Sequence, residues 1–109
     1  MARHKGLRLR WHNWWAAPRT MAFVRETDPT ASHASWMENF ACTRLAGVAM
    51  PSEGKALVDY GRMALMDPRE KREYLGDGCY GGRYEMPGEV TDRLWGIAVE
   101  ETREVLGRW

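Results

Sequence analysis

Five glycines fall within "LGDGCYGGRYEMPG", residues 75–88, and no regular element passes through such a run. Glycine loses more backbone freedom on ordering than any other residue, so a cluster of glycines breaks helices and strands and settles into turns. The chain is divided there, and what lies on either side must pack together across the break. Tyr74-Leu75 and Arg83-Tyr84 stand where the arms of a short hairpin around the glycines would lie.

Part of this run, Gly76-Asp77-Gly78-Cys79-Tyr80-Gly81, spells G-x-G-x-x-G. In a dinucleotide-binding fold those glycines follow a buried strand and open a helix, whose N–H groups and dipole hold the pyrophosphate. Here Arg69-Glu70-Lys71-Arg72-Glu73 precede the run, too charged for a buried strand. Gly82 to Gly88 follow it, with Pro87 and no helix start. Without its context the motif is a turn, and no cofactor is expected.

Around this break the periodicity is helical. Ser35-x-x-Glu38 is the pattern of a capping box, and Met37, Phe40, Ala41, Arg44, Leu45 and Val48 follow on one stripe until Pro51. A second helix is expected from Pro51 or Ser52, with Leu57, Tyr60, Gly61, Ala64 and Leu65 on its stripe and Asp67-Pro68 as its stop. A third runs from Glu89 to Leu106, marked by Val90, Leu94, Ile97, Ala98, Glu101 and Val105 and ended by Gly107. Trp95 is expected to anchor it in the core. Residues 7–17 read either as a short helix ending before Pro18, with Leu7, Trp11, Trp14 and Trp15 on one face, or as a strand in which Leu7, Leu9 and Trp11 alternate with arginines. "RETDPTASHAS" is a loop. The expected fold is mainly α: three to four helices with a short β-strand or hairpin near residues 73–85.

Charge divides the chain differently. Arg3, Lys5, Arg8, Arg10, Arg19 and Arg25 lie in residues 1–25 without an acid among them, and all fifteen acidic residues follow. A basic, Trp-rich arm (1–25) thus precedes a small helical domain (32–109). Arginines contact phosphates while aromatic rings stack on exposed bases, and the same composition suits an anionic membrane surface. Arg8, Arg10, Trp11, Trp14 and Trp15 are the candidate contacts for such a partner. The alternative is an arm whose tryptophans pack on the helices and whose arginines pair with the acidic body, and aromatic stripes favour it.

Catalytic signals are sparse. His4, His12, His33, Cys42 and Cys79 lack metal-ligand spacing, and neither a metal site nor a nucleophile–base arrangement is expected. Cys42, near a helical stripe, reads as buried, and Cys79, among glycines, as exposed. Two cysteines make no disulfide framework, so reduced thiols in a cytoplasmic protein are expected. No apolar run reaches the roughly 20 residues of a membrane span, and basic residues interrupt any secretory h-region near the start.

The order "PSEGKALVDYG … EYLGDG … MP … DRLWGIAVEE" resembles the C-terminal tail of short-chain dehydrogenase/reductases, in the retinol-dehydrogenase-like and fungal branches, over residues 48–109. Pro51, Glu53 and Gly54 match the opening of a helix in that tail. Tyr74, Leu75 and Asp77 match a strand, Pro87 a loop, and Arg93, Leu94, Trp95 and Glu100 the final helix. Arg72 departs from the family's glycine. The family's Thr-Gly-x-x-x-Gly-x-Gly cofactor loop and its catalytic Tyr-x-x-x-Lys pair do not occur in this chain. The resemblance therefore implies no catalytic residue. It implies a non-catalytic derivative or fragment acting through contacts with itself or a protein partner, because the tail shapes the substrate side and subunit contacts in the family. A homo-oligomer is the simplest form, since a strand edge and apolar stripes without their parent sheet need other cover. The competing classes are a nucleic-acid- or membrane-surface-binding protein and a small protein inhibitor of a larger partner.

Overall fold

A computed structural model describes residues 6–109; Arg3 and Lys5 of the basic arm lie outside the described residues. The described chain is mainly helical, with α1 (Pro18–Thr27), α2 (Tyr60–Ala64), α3 (Pro68–Leu75) and α4 (Gly88–Gly107). Three 3-10 turns, Trp14–Ala16, Trp36–Glu38 and Ala41–Thr43, punctuate the rest.

The core lies where α1 crosses α4. On α4 the buried residues are Thr91, Leu94, Ala98 and Glu101, one stripe at helical spacing. Against it α1 presents Thr20 and Val24. Trp36, Met37 and Phe40, from the turns after the 28–35 loop, complete the cluster with Val24 and Leu94. Trp36 is fully buried, and its indole N–H reaches Asp28 Oδ2 at 3.0 Å, so the largest core side chain leaves no polar atom unpaired.

α4 matches the expected 89–106 helix within a residue at either end. Elsewhere the helices differ from expectation, and proline explains two of the differences. Pro18 and Pro68 were expected as stops, yet each occupies the first turn of a new helix. A proline there fixes a helical φ and lacks an N–H that would be unpaired in any case. Asp67 caps α3, accepting from the N–H groups of Arg69 (2.8 Å) and Glu70 (2.9 Å), while Glu70 accepts from Asp67 N–H at 2.8 Å. The expected second helix is thus reduced to the five residues of α2, with α3 behind it.

No α-helix forms from Ser35, only the 3-10 turn Trp36–Glu38. The Ser35 hydroxyl instead accepts from Ser32 N–H (3.0 Å), and Glu38 reaches back to Ala34 N–H (2.7 Å) rather than to Ser35. The backbone of this stretch has better partners elsewhere. Trp36 N–H donates to Arg83 O at 2.8 Å, Asn39 Nδ2 to Tyr84 O at 2.8 Å, and Phe40 N–H to the Thr43 hydroxyl at 3.1 Å. Local side-chain bonds of this kind compete with a helix. Beyond Phe40 every residue from Ala41 to Gly54 is exposed.

The expected strand or hairpin at 73–85 is absent, and no strand forms among the described residues. Tyr74 and Leu75 end α3, and the glycines pair with residues 55–58 through a single antiparallel bridge, Lys55 to Gly82. Gly81 and Gly82 are required here. Both have left-handed φ (125° and 94°), and a Cβ would lie 2.5 Å from Leu57 Cα or 2.6 Å from Thr30 O.

Candidate functional site

The glycine run is a crossing point of backbone. Tyr80 N–H donates to His33 O (3.0 Å) and Gly82 N–H to Lys55 O (2.8 Å). Cys79 N–H donates to Asp77 Oδ1 (3.0 Å) and Gly81 N–H to Cys79 Sγ (3.4 Å). Four successive amides that a phosphate cradle would present to a ligand are thereby engaged within the protein. Cys79 is buried and Cys42 exposed, the reverse of expectation, because the loops at 30–33 and 55–58 close over the glycines while residue 42 lies on an open turn.

Lys55 fastens this crossing. Its Nζ donates to Leu75 O at the C-terminus of α3 (2.5 Å) and to Asp77 Oδ1 (2.7 Å), a favourable place for a cation. Tyr84 hydroxyl donates to the other oxygen of Asp77. The bonds from Lys55 and Tyr84 hold the Asp77 carboxyl down to about 2. The same bond to Asp77 pushes the Tyr84 phenol up to about 12. A phenol held protonated is the opposite of the activated tyrosine that proton transfer needs, so this Lys–Asp–Tyr cluster is a clamp.

The arm behaves as two parts. Residues 14–25 join the body: Trp14 packs on Phe40 with ring centroids 5.7 Å apart, and Thr20 and Val24 are buried. Glu101 on α4 supplies the cap that α1 lacks in its own sequence. It accepts from Arg19 N–H (2.9 Å), Thr20 N–H (2.8 Å) and the Thr20 hydroxyl (2.7 Å), and Arg19 also pairs with Glu104 at 2.6 Å. Burial raises the Glu101 carboxyl, and these bonds with the Arg19 charge outweigh it, leaving the group below its usual range. Residues 6–13 are different. They form no helix or strand, Arg8 and Arg10 are exposed, and no carboxylate among the described residues lies within ion-pairing distance of either. Trp11 is 83% exposed and Trp15 about half exposed. Of the five candidate contacts, Arg8, Arg10 and Trp11 stay together on the open part, Trp14 goes to the core margin, and Trp15 lies apart in a cleft with His33 and Tyr80.

Among the described residues, two of the open apolar surfaces concern function. The first is residues 45–65, where Leu45, Val48, Met50, Leu57, Tyr60 and Leu65 are exposed and Val58 is the buried residue. The second is a trough of about 480 Å³ beside α4, lined by Trp14, Phe40, Trp95, Ala98, Val99 and, at its lip, His12, Thr102 and Arg103. Trp95 is half exposed, so the expected core anchor is instead a wall of this trough, with its ring centroid 5.2 Å from that of Phe40. The sequence placed Phe40 on a helical stripe and Trp14 in the arm; nothing local announced that they meet Trp95.

Among the described residues no three His, Cys, Asp or Glu side chains gather as a metal site, and no helix is long and apolar enough to cross a membrane. No family model matches the chain, and no curated protein or solved structure is detectably similar to it.

Proposed function

We propose that this chain is a non-catalytic, cytoplasmic protein-contact module derived from the tail of a short-chain dehydrogenase/reductase, and that it assembles first with a second copy of itself. The observation that carries the reading is the open segment 45–65. Six large apolar side chains are exposed there within 21 residues, far denser than the scattered apolar residues of an ordinary surface. This is also the segment in which "PSEGKALVDYG" resembles the family tail. The radius of gyration, 17.0 Å, supports the reading. A self-contained domain of this length has about 13 Å, so the chain has surface that a compact fold would have covered. A homodimer covers it with one two-fold contact.

Sedimentation equilibrium of the full chain tests this. The parent is expected to weigh twice the monomer mass, and Leu45→Asp with Leu65→Asp is expected to return it to the monomer with its helical content intact. A parent that stays monomeric at every accessible concentration refutes self-assembly.

Arg8, Arg10 and Trp11 favour a second reading, a single-stranded nucleic acid held on residues 8–11. Its affinity would fall with salt at a log–log slope of about −0.7 per neutralised phosphate. Arg8→Ala with Arg10→Ala would flatten that slope, and a salt-independent or absent signal disposes of the idea.

A further inference from the structure

The trough beside α4 shares no residue with segment 45–65, and its chemistry is more selective than an apolar surface. Three aromatic rings run along it, Trp14 to Phe40 at 5.7 Å and 59°, Phe40 to Trp95 at 5.2 Å and 66°. Ala98 and Val99 add an aliphatic side. The volume, about 480 Å³, is that of a small-molecule pocket. The polar groups are at the lip, and most of their bonding capacity is used. Thr102 hydroxyl donates to Ala98 O at 2.8 Å, so it accepts from His12 Nε2–H at 3.1 Å, which fixes the imidazole against the helix. That leaves Arg103. Its one carboxylate neighbour is Glu100 at 3.6 Å, with both side chains largely exposed, a pair that contributes little and exchanges readily.

We infer that this trough binds a small apolar monocarboxylate, its hydrocarbon or aryl body on Trp14, Phe40, Trp95 and Val99 and its carboxylate on the Arg103 guanidinium. Charge decides against the alternatives. Aromatic walls also attract organic cations, but no Asp or Glu lines this trough and Arg103 would repel one. A neutral ligand would leave the guanidinium without the charge-assisted, two-point contact that a carboxylate offers. The inference stands independently of the assembly proposed above, and its test does not depend on oligomeric state.

Decanoate and 4-phenylbutyrate, each against its primary alcohol, are titrated into the full chain below their aggregation limits by calorimetry, with tryptophan fluorescence as a second readout. One site per chain is expected, with each acid binding up to about fivefold tighter than its alcohol, the worth of an exposed ion pair. Arg103→Gln, an exposed position whose melting temperature should not move, is expected to erase that preference while leaving alcohol binding unchanged. Trp95→Ala is expected to weaken acid and alcohol alike. Absence of saturable binding, equal affinity for acid and alcohol, or an Arg103→Gln variant that keeps the preference would each overturn the assignment.

Discussion

Replacing Glu101 by alanine tests the central packing claim, that α4 caps α1 across 81 positions of sequence. The substitution removes the acceptor of three hydrogen bonds. The Arg19 N–H bond is only partly buried, so water can replace its lost acceptor. Thr20 is fully buried, so its N–H and hydroxyl cannot be rehydrated without opening the α1–α4 contact. Surface caps are worth about 0.5–2 kcal/mol. Burial puts this one higher, because each bond to a charged acceptor is worth about 1.5–3 kcal/mol and the orphaned donors keep their desolvation cost. A loss of about 3–5 kcal/mol is expected, a large share of the roughly 5–15 kcal/mol of a typical domain. In a thermal melt that is a fall of more than about 12 °C. Glu101→Gln keeps the volume and one good acceptor but turns its NH2 towards a donor, so an intermediate loss separates hydrogen bonding from packing.

The sign of the pH dependence follows from the lowered Glu101 carboxyl. Its stabilisation is complete above the unfolded glutamate pKa of about 4.3 and is lost as pH falls through the lower folded value. Denaturant midpoints measured downward from neutral pH should therefore fall more steeply in the parent than in Glu101→Gln. A Glu101→Ala variant melting within about 3 °C of the parent, the range of an ordinary surface change, would refute the capping role, and parallel acid limbs would refute the electrostatic part of it.

Three further outcomes are expected. Gly82→Ala, which drives a Cβ to 2.6 Å from Thr30 O, should destabilise the fold far more than Gly96→Ala, a helical position where nothing lies within 4 Å; equal melting temperatures would mean that the crossing at 30–33 and 80–82 is not formed. Trp36→Ala should cost about 3–5 kcal/mol in chemical denaturation, whereas Trp95→Ala, at a half-exposed wall, should cost much less; a reversed order would misplace the core. Because Tyr84 is pushed up to about 12, its contribution is present below 10.0 and lost as pH rises through the folded value; because Asp77 is held at about 2, its own is present above 3.8 and lost on acidification through that lower value. In Tyr84→Phe the late phenol titration should vanish, and a parent whose four tyrosines titrate together would contradict the clamp.

How much of this was legible in the sequence depended on how local each cause was. α4 was legible because one stripe of period 3.6 runs for 20 residues between Pro87 and the helix end at Gly107. Glu101 lay on that stripe but also read, with Glu100 and Glu104, as part of a solvated face; it is buried instead, because its partners 81 and 82 residues away draw it inward. α1 was hidden because proline marks both a stop and a first turn; Asp67-Pro68-x-Glu70 carried the additional capping signal of a start, and Ala17-Pro18 carried none. The stretch after Ser35 had helical spacing, and non-local bonds from Trp36 and Asn39 to residues 83 and 84 overrode it. The trough was illegible for the same reason, since its aromatic rings come from residues 14, 40 and 95.

Glu101, Thr102 and Arg103 are consecutive, and helical geometry turns their side chains in three directions about 100° apart. One aims into the core and caps α1, the next holds His12 of the arm, and the third stands at the lip of the trough. A single turn of α4 therefore joins the internal packing of the fold to the part of the arm that leads out to Arg10 and Trp11. It follows that Arg19 is not equivalent to Arg8 and Arg10. Arg19 lies beside the carboxylates of Glu101 and Glu104 and belongs to the fold, so neutralising it acts on stability. Arg8 and Arg10 make no such ion pair among the described residues, although Arg10 lines one cleft with Glu101 and Glu104, so neutralising them is expected to act less on stability than neutralising Arg19 does.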